Sequence, residues 1–441
     1  MAIPTSLPTD WERLGFRQDP FYVRPLPVAA LSSDLFVGRE SDRHRLQSFL
    51  SNYVSGKTMV QGPTGVGKTS LVNVVQYELY AAATRFPLFE IVETPENATR
   101  ESFLLQVISA AVSSLSQAFG RTDLEADEEF RTAQDAVTQT LRTGTTLGLS
   151  GGLAGGILGA SVNQTTTAIP PLAPTVTALI NLLRGLVAVA ERRGFAGVIV
   201  PVNNLDVLPV AVVVQFLSMI RDVCDAVDGV HWVFIGGPHL FNILEGSARR
   251  ISESFTSNPI SLEALTWNDV EQALERRRRA FAIEPETPLP ISMDIARLVY
   301  EASGGELRFT FVRLSRTVLE FSIRYPSERS VPDGIALMLL QEWARGQLAR
   351  HPLTGREQDL LQYLVEHGTI RSRDYTAAGF TTAQHLSSLL RSLEKKEYVR
   401  IVAEQGVARE YGLTGSALLS LVGRGGELPR LSRSKLVVDT K

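Results

Sequence analysis

The chain has 441 residues, 44% hydrophobic and 21% charged, with a net charge of -3. That length predicts several domains, and the composition excludes a disordered chain and a globally basic nucleic-acid binder, leaving any DNA contact to a local surface. The single cysteine, Cys224, excludes a disulfide framework and a thiolate metal cluster, and the opening MAIPTSLPTDWERLG lacks the basic and apolar regions of a secretory signal. A cytoplasmic location is therefore expected.

Residues 1–35 carry Pro4, Pro8, Pro20, Pro25 and Pro27 without a periodic pattern, which predicts an irregular arm. Short apolar runs follow at Thr58–Gln61, Phe86–Val92, Gly197–Val202, Val230–Ile235 and Pro259–Leu262, separated by stretches long enough for crossover helices. Such runs suit strands covered on both faces, and the alternation predicts a doubly wound α/β fold over 36–262. From Thr266 the pattern is helical, with Thr266 and Asp269 spaced as a capping box, and a helical domain is expected over 263–345. Residues 346–422 read as a compact third domain, and 423–441 as a polar tail. Thr143–Leu183 contains no charged residue, and Gly144, Gly148, Gly152 and Gly156 recur at four-residue spacing. That spacing suits close helix approach in a membrane, but the glycines penalise a helix and the apolar run falls short of a ~20-residue span. The adopted reading is a soluble insertion, with membrane contact as the alternative.

Gly62, Pro63, Thr64, Gly65, Val66, Gly67, Lys68 and Thr69 match G-x-x-x-x-G-K-[ST] between an apolar strand and the helix-like run from Ser70. The glycines permit backbone that turns successive N–H groups toward phosphate oxygens. Lys68 is expected to reach the β- and γ-phosphates of ATP, and the Thr69 hydroxyl to ligate Mg²⁺. A second acidic strand end should complete the site, and the candidate is Val198–Asp206. Asn203 stands where an aspartate would help hold Mg²⁺, and Asn204 where a glutamate would activate water. Asparagine accepts a hydrogen bond from a metal-bound water but is no carboxylate base. Asp206, three residues on, is the remaining acid, so slow or absent hydrolysis is expected; the alternative is that Asp206 and Asn203 together suffice.

With these residues in hand, Leu35–Leu419 resembles an AAA+ P-loop ATPase of the initiator (origin-recognition-like) or signal-transducing STAND type. Phe36–Glu40, FVGRE, is similar to the family's segment before the loop, which implies adenine contacts near Gly38 and Arg39. His231–Pro238 occupies the sensor-1 place without the family's polar sensor residue, and Ser303–Arg308, SGGELR, resembles the sensor-2 motif, which implies that Arg308 contacts the γ-phosphate. Arg249 and Arg250 lie at the distance where the family carries an arginine finger for a neighbouring subunit, which implies a homo-oligomer; a solvated helix end is an equal reading. The run Arg276–Arg279, preceded by Glu271 and Glu275, reads more simply as a solvated, dipole-matched face than as a nucleic-acid contact.

Leu353–Thr414 resembles a winged helix of the MarR-like kind, so the expected architecture is α/β: a P-loop doubly wound parallel sheet of AAA+ type with a helical lid and a C-terminal winged-helix domain. The apolar positions Leu360, Leu361 and Leu364, then Leu386, Leu389, Leu390 and Leu393, recur at helical spacing. The second helix is expected over 371–378 and the recognition helix over 381–396, presenting Thr382, Gln384, His385, Ser388 and Arg391 to double-stranded DNA, with a wing over 399–411. Nine Lys/Arg stand against eight Asp/Glu from 350 to 410, a thin electrostatic footprint that leaves a protein partner as the alternative.

Overall fold

A computed structural model describes residues 9–94, 97–144, 175–349, 351–405 and 408–421. Most of the uncharged insertion and the 423–441 tail lie outside the described residues. Two compact units are formed, Pro25–Glu263 and a second that joins Met1–Arg24 to Ala264–Lys441.

The first unit is built on a parallel sheet of β1 Gly56–Gln61, β2 Phe86–Pro87, β3 Val92–Glu93, β4 Val198–Asn203, β5 Val230–Gly236 and β6 Ile260–Ser261. Its order is β2-β4-β5-β1-β6, with β3 also on β4. Parallel neighbours are joined through long helical crossovers, and the doubly wound expectation holds. The two pleated faces feed different cores. Trp232 and Phe234 join Met59, Val200 and Val202 in one, while Val233 and Ile235 join Val60, Leu71, Val72 and Ile199 in the other. Covered on both faces, the central strands show no alternation of polarity.

One expected strand is broken. Phe86–Val92 supplies only the two-residue β2 and β3, because after Leu88 donates to the Ile199 carbonyl the chain turns away and the Phe89 N–H bonds Ser114 Oγ. That gap accommodates Pro201. The Phe86 and Leu88 N–H groups bond the carbonyls of Gly197 and Ile199, so Pro201, of the same parity, faces the edge where β2 has ended and β3 has not begun. Its missing N–H leaves no ladder bond unmade there.

The helix Arg100–Phe119 is long and apolar enough to cross a membrane, yet Phe103, Leu104, Val107, Ile108 and Leu115 are buried in the sheet's core. The helix Val176–Arg192 starts inside the uncharged stretch and buries Leu179 and Leu183, so that end of it is apolar because it faces the core.

The second unit begins with the arm, which is not irregular throughout. Thr9 and Glu12 form a capping box on the helix Asp10–Arg13, and Phe16 and Phe21 are fully buried. The arm is stitched to the end of the helix Trp267–Phe281: Arg17 N donates to the Phe281 carbonyl, and Ile283 N to that of Gly15. Arg277, expected on a solvated face, is buried; it donates to the carbonyls of Pro20 and Tyr22 and lies 4.6 Å from the Phe311 ring centroid. Arg278 and Arg279 both bond Glu275, which holds that carboxyl down at about 2.

Helices Met293–Ala302, Leu307–Arg324 and Asp333–Leu348 follow. Then come the helix Gly355–His367, β7 Thr369–Arg371, a 3-10 turn Ser372–Asp374, the helix Ala383–Lys395, β8 Val399–Gln405, β9 Ala408–Leu413 and the helix Gly415–Leu421. β7, β9 and β8 form an antiparallel sheet in that order. The expected second helix over 371–378 is replaced by β7 and the short turn: Ile370 points into the core, and Asp374 caps the Arg371 N–H instead of continuing a helix.

Candidate nucleotide-binding site

β1 ends at Gln61, and the loop Gly62–Gly67 delivers the chain to the helix Lys68–Ala81. Gly65 and Gly67 have φ of 77° and 103°, backbone that a side chain would strain. A Cβ at Gly62 would lie 2.6 Å from the Leu262 carbonyl, so glycine is required to seat the loop against the end of β6. Gly67 is the N-cap and offers no side-chain cap, leaving the first N–H groups of the helix to an anion. Pro63 and Thr64 are exposed, and Val66 is packed beneath them.

Lys68 is only 6% exposed, and its ammonium has three acceptors: the carbonyls of Gly62 at 2.9 Å and Pro63 at 3.0 Å, and Asp206 Oδ2 at 3.0 Å. An ammonium has three donors, so all are committed. Thr69 Oγ1 lies 3.5 Å from Asn203 Oδ1 at the end of β4, and Thr94 Oγ1 donates to the Asn203 carbonyl. Asn204 takes a left-handed φ of 67°, and its turn carries Asp206 to the lysine. The acid of the site is thus displaced three residues from the strand end, as its distance to Lys68 shows.

The surroundings hold the loop. Arg39 is buried and donates to the Glu263 carbonyl and, at 3.4 Å, to the Val66 carbonyl, with Asp42 3.7 Å away. Gly38 enters this arginine with φ 71°. The Ser70 hydroxyl accepts the Leu26 N–H and Asn73 donates to the Leu26 carbonyl, fixing Pro25–Pro27 along the helix after the loop. Gln61 was not singled out in the sequence, although a polar residue closing a buried strand was the available signal. Its amide donates to Ser261 Oγ and accepts the Phe241 N–H, joining β1 to β6 and to the helix after β5.

The remaining candidates lie on other elements. Arg249 and Arg250 are exposed on the four-residue helix Arg249–Ser252, with Arg249 2.8 Å from Glu253. Arg308 is exposed on the first turn of Leu307–Arg324 in the second unit. Thr382 caps the helix Ala383–Lys395 by accepting the His385 N–H, and Thr382, Gln384, His385, Ser388 and Arg391 are all exposed.

A glycine loop between a parallel strand and a helix, with its lysine at the strand ends, defines a P-loop nucleotide-binding domain. Residues 35–232 match the family model described as "AAA ATPase domain". No curated protein matches the chain. Among solved structures the chain is similar to the Aeropyrum pernix ORC1 protein in complex with DNA, at 14% identity over 94% of this chain and 98% of that one, with a TM-score of 0.45. It is similar also to the Aeropyrum pernix ORC2 protein in its ADPNP-ADP complexes, at 12% over 92% and 96%, TM-score 0.49. Drosophila ORC bound to DNA follows at 14% over 95% and 94%, TM-score 0.42.

Among the described residues no group of three His, Cys, Asp or Glu could hold a metal alone. Thr69 and Asn203 do fit a Mg²⁺ whose remaining ligands are phosphate oxygens and water, the usual habit of this ion. Bound there, the ion would neutralise phosphate charge.

Proposed function

We propose that this chain is an ATP-binding AAA+ switch whose nucleotide state controls a winged-helix module that binds double-stranded DNA, in an initiator, regulatory, transposition or defence role. The observation that carries it is the pairing of an intact phosphate loop with a strand end of Asn203 and Asn204, where neither side chain can take a proton from water. Thr69 and Asn203 would hold Mg²⁺, and Lys68 would leave Asp206 for the phosphates. The order helix, strand, short turn, helix, hairpin in 355–413, with five polar side chains exposed along Thr382–Arg391, supports the winged-helix reading. The exposed Arg249 and Arg250 suit a finger offered to a neighbouring copy in a homo-oligomer.

Asp206 favours a second reading, an active ATPase, because its carboxylate does reach the loop. Steady-state hydrolysis by the full chain, with and without DNA, separates the two. Slow turnover with tight, Lys68-dependent nucleotide binding supports the switch. Turnover on the order of 1 per second that vanishes in Lys68→Ala overturns it.

A further inference from the structure

Arg400 stands near the start of β8, an edge strand of the three-stranded sheet. Its neighbours Val399 and Ile401 face the core of Leu360, Leu390 and Tyr411, so Arg400 points the other way, where an arginine is ordinarily solvated. Here it is half-buried, and its Nη2 donates to the Ser303 carbonyl at 2.7 Å. The next residue, Gly304, has φ 71°, and a Cβ there would collide with the Arg400 guanidinium. Glu306 completes the turn; burial raises its carboxyl above the ordinary value, against the pull of Arg400 and Arg308.

A second contact fixes the same turn. Gly415, which follows β9, packs against Phe309 and the Ala302 carbonyl, and Leu419 is fully buried with Leu298, Ala302 and Ala344. The Arg400 Nε is buried and finds no partner among the described residues. A half-buried guanidinium whose buried Nε makes no bond is a poor stabiliser, so the residue is better explained by what it positions.

We infer that Arg400 is a positioning residue that fastens the β8–β9 hairpin to the Ser303–Arg308 turn, so that displacement of Arg308 is transmitted to the hairpin. This rests on the nucleotide-switch reading and names the joint through which the switch acts. Gly304 and Gly305 take left-handed φ of 71° and 87°, and the absence of a side chain at Gly304 lets the guanidinium sit on the turn.

Amide hydrogen exchange on the full chain, with and without Mg·ATPγS, tests it in the native protein, in Arg400→Ala and in Arg400→Lys. The expected result is a nucleotide-induced change at the P-loop, at 303–308 and at 399–405 in the native chain. In Arg400→Ala the changes at the P-loop and the turn remain and the change at 399–405 is lost; in Arg400→Lys it returns in part. A turn that responds without the hairpin, or an Arg400→Ala hairpin that responds fully, overturns the inference while the nucleotide reading stands. A P-loop that does not respond overturns both.

Discussion

Replacing Asp206 by asparagine tests the site most directly. The ammonium of Lys68 and the carboxylate are 3.0 Å apart and little exposed, so their gross attraction is about 5 kcal/mol at an effective dielectric constant of about 20. Desolvation cancels most of that. What survives is the difference between a charged and a neutral hydrogen bond, roughly 1–1.5 kcal/mol, because the asparagine oxygen still accepts. Since all three donors of Lys68 are committed, a phosphate must displace at least one acceptor, and the carboxylate alone opposes it with charge. Asp206→Asn is therefore expected to tighten ATP binding about tenfold. Titration of a fluorescent ATP analogue, read by anisotropy in the presence and absence of Mg²⁺, measures this against Lys68→Ala. An unchanged or weakened affinity in Asp206→Asn would refute the competition between carboxylate and phosphate.

Lys68→Ala should itself weaken ATP at least about a hundredfold, by calorimetry. Arg277→Met removes two hydrogen bonds to the arm and should cost about 2–4 kcal/mol, seen as faster tryptic cleavage among the first 24 residues than in the native chain. Burial pushes the His231 imidazole down to about 4, so stability is full above the unfolded value near 6.5 and falls as pH drops toward 4, by about 3 kcal/mol. Chemical denaturation across that range should flatten in His231→Phe. Glu357 is buried among Lys396, Ser392 and Thr354, whose bonds outweigh its desolvation and bring it to about 2. Its contribution is present above about 4.5 and lost as pH falls toward 2, and Glu357→Ala should unfold the C-terminal segment at lower urea than the native chain.

The phosphate loop was legible because its chemistry is local: eight consecutive residues carry both the turn and the charge. The central strands were legible because burial on both faces makes them plain apolar runs. The break between β2 and β3 was not, since two-residue strands carry no periodicity. The place of Asp206 beside Lys68 was not legible, because it depends on a left-handed Asn204, a backbone choice that residue type permits without demanding. Arg277 and Arg400 escaped for a different reason. Each looks like a surface arginine along its own element, and each is buried by a partner far away in sequence, Pro20 and Tyr22 in one case and Ser303 in the other.

The second unit is closed by the first residues of the chain. Phe16 and Phe21 emerge early in synthesis but find the helix Trp267–Phe281 only after the whole nucleotide-binding unit has been made. At about 5–20 residues per second, these two aromatic side chains wait on the order of ten seconds or more for their core. Pro25–Glu263 can fold during that interval, with its segment Pro25–Pro27 already tethered to Ser70 and Asn73. A change within Asp10–Tyr22 therefore acts on the unit whose synthesis is completed last, the one that carries Arg308 and Arg400.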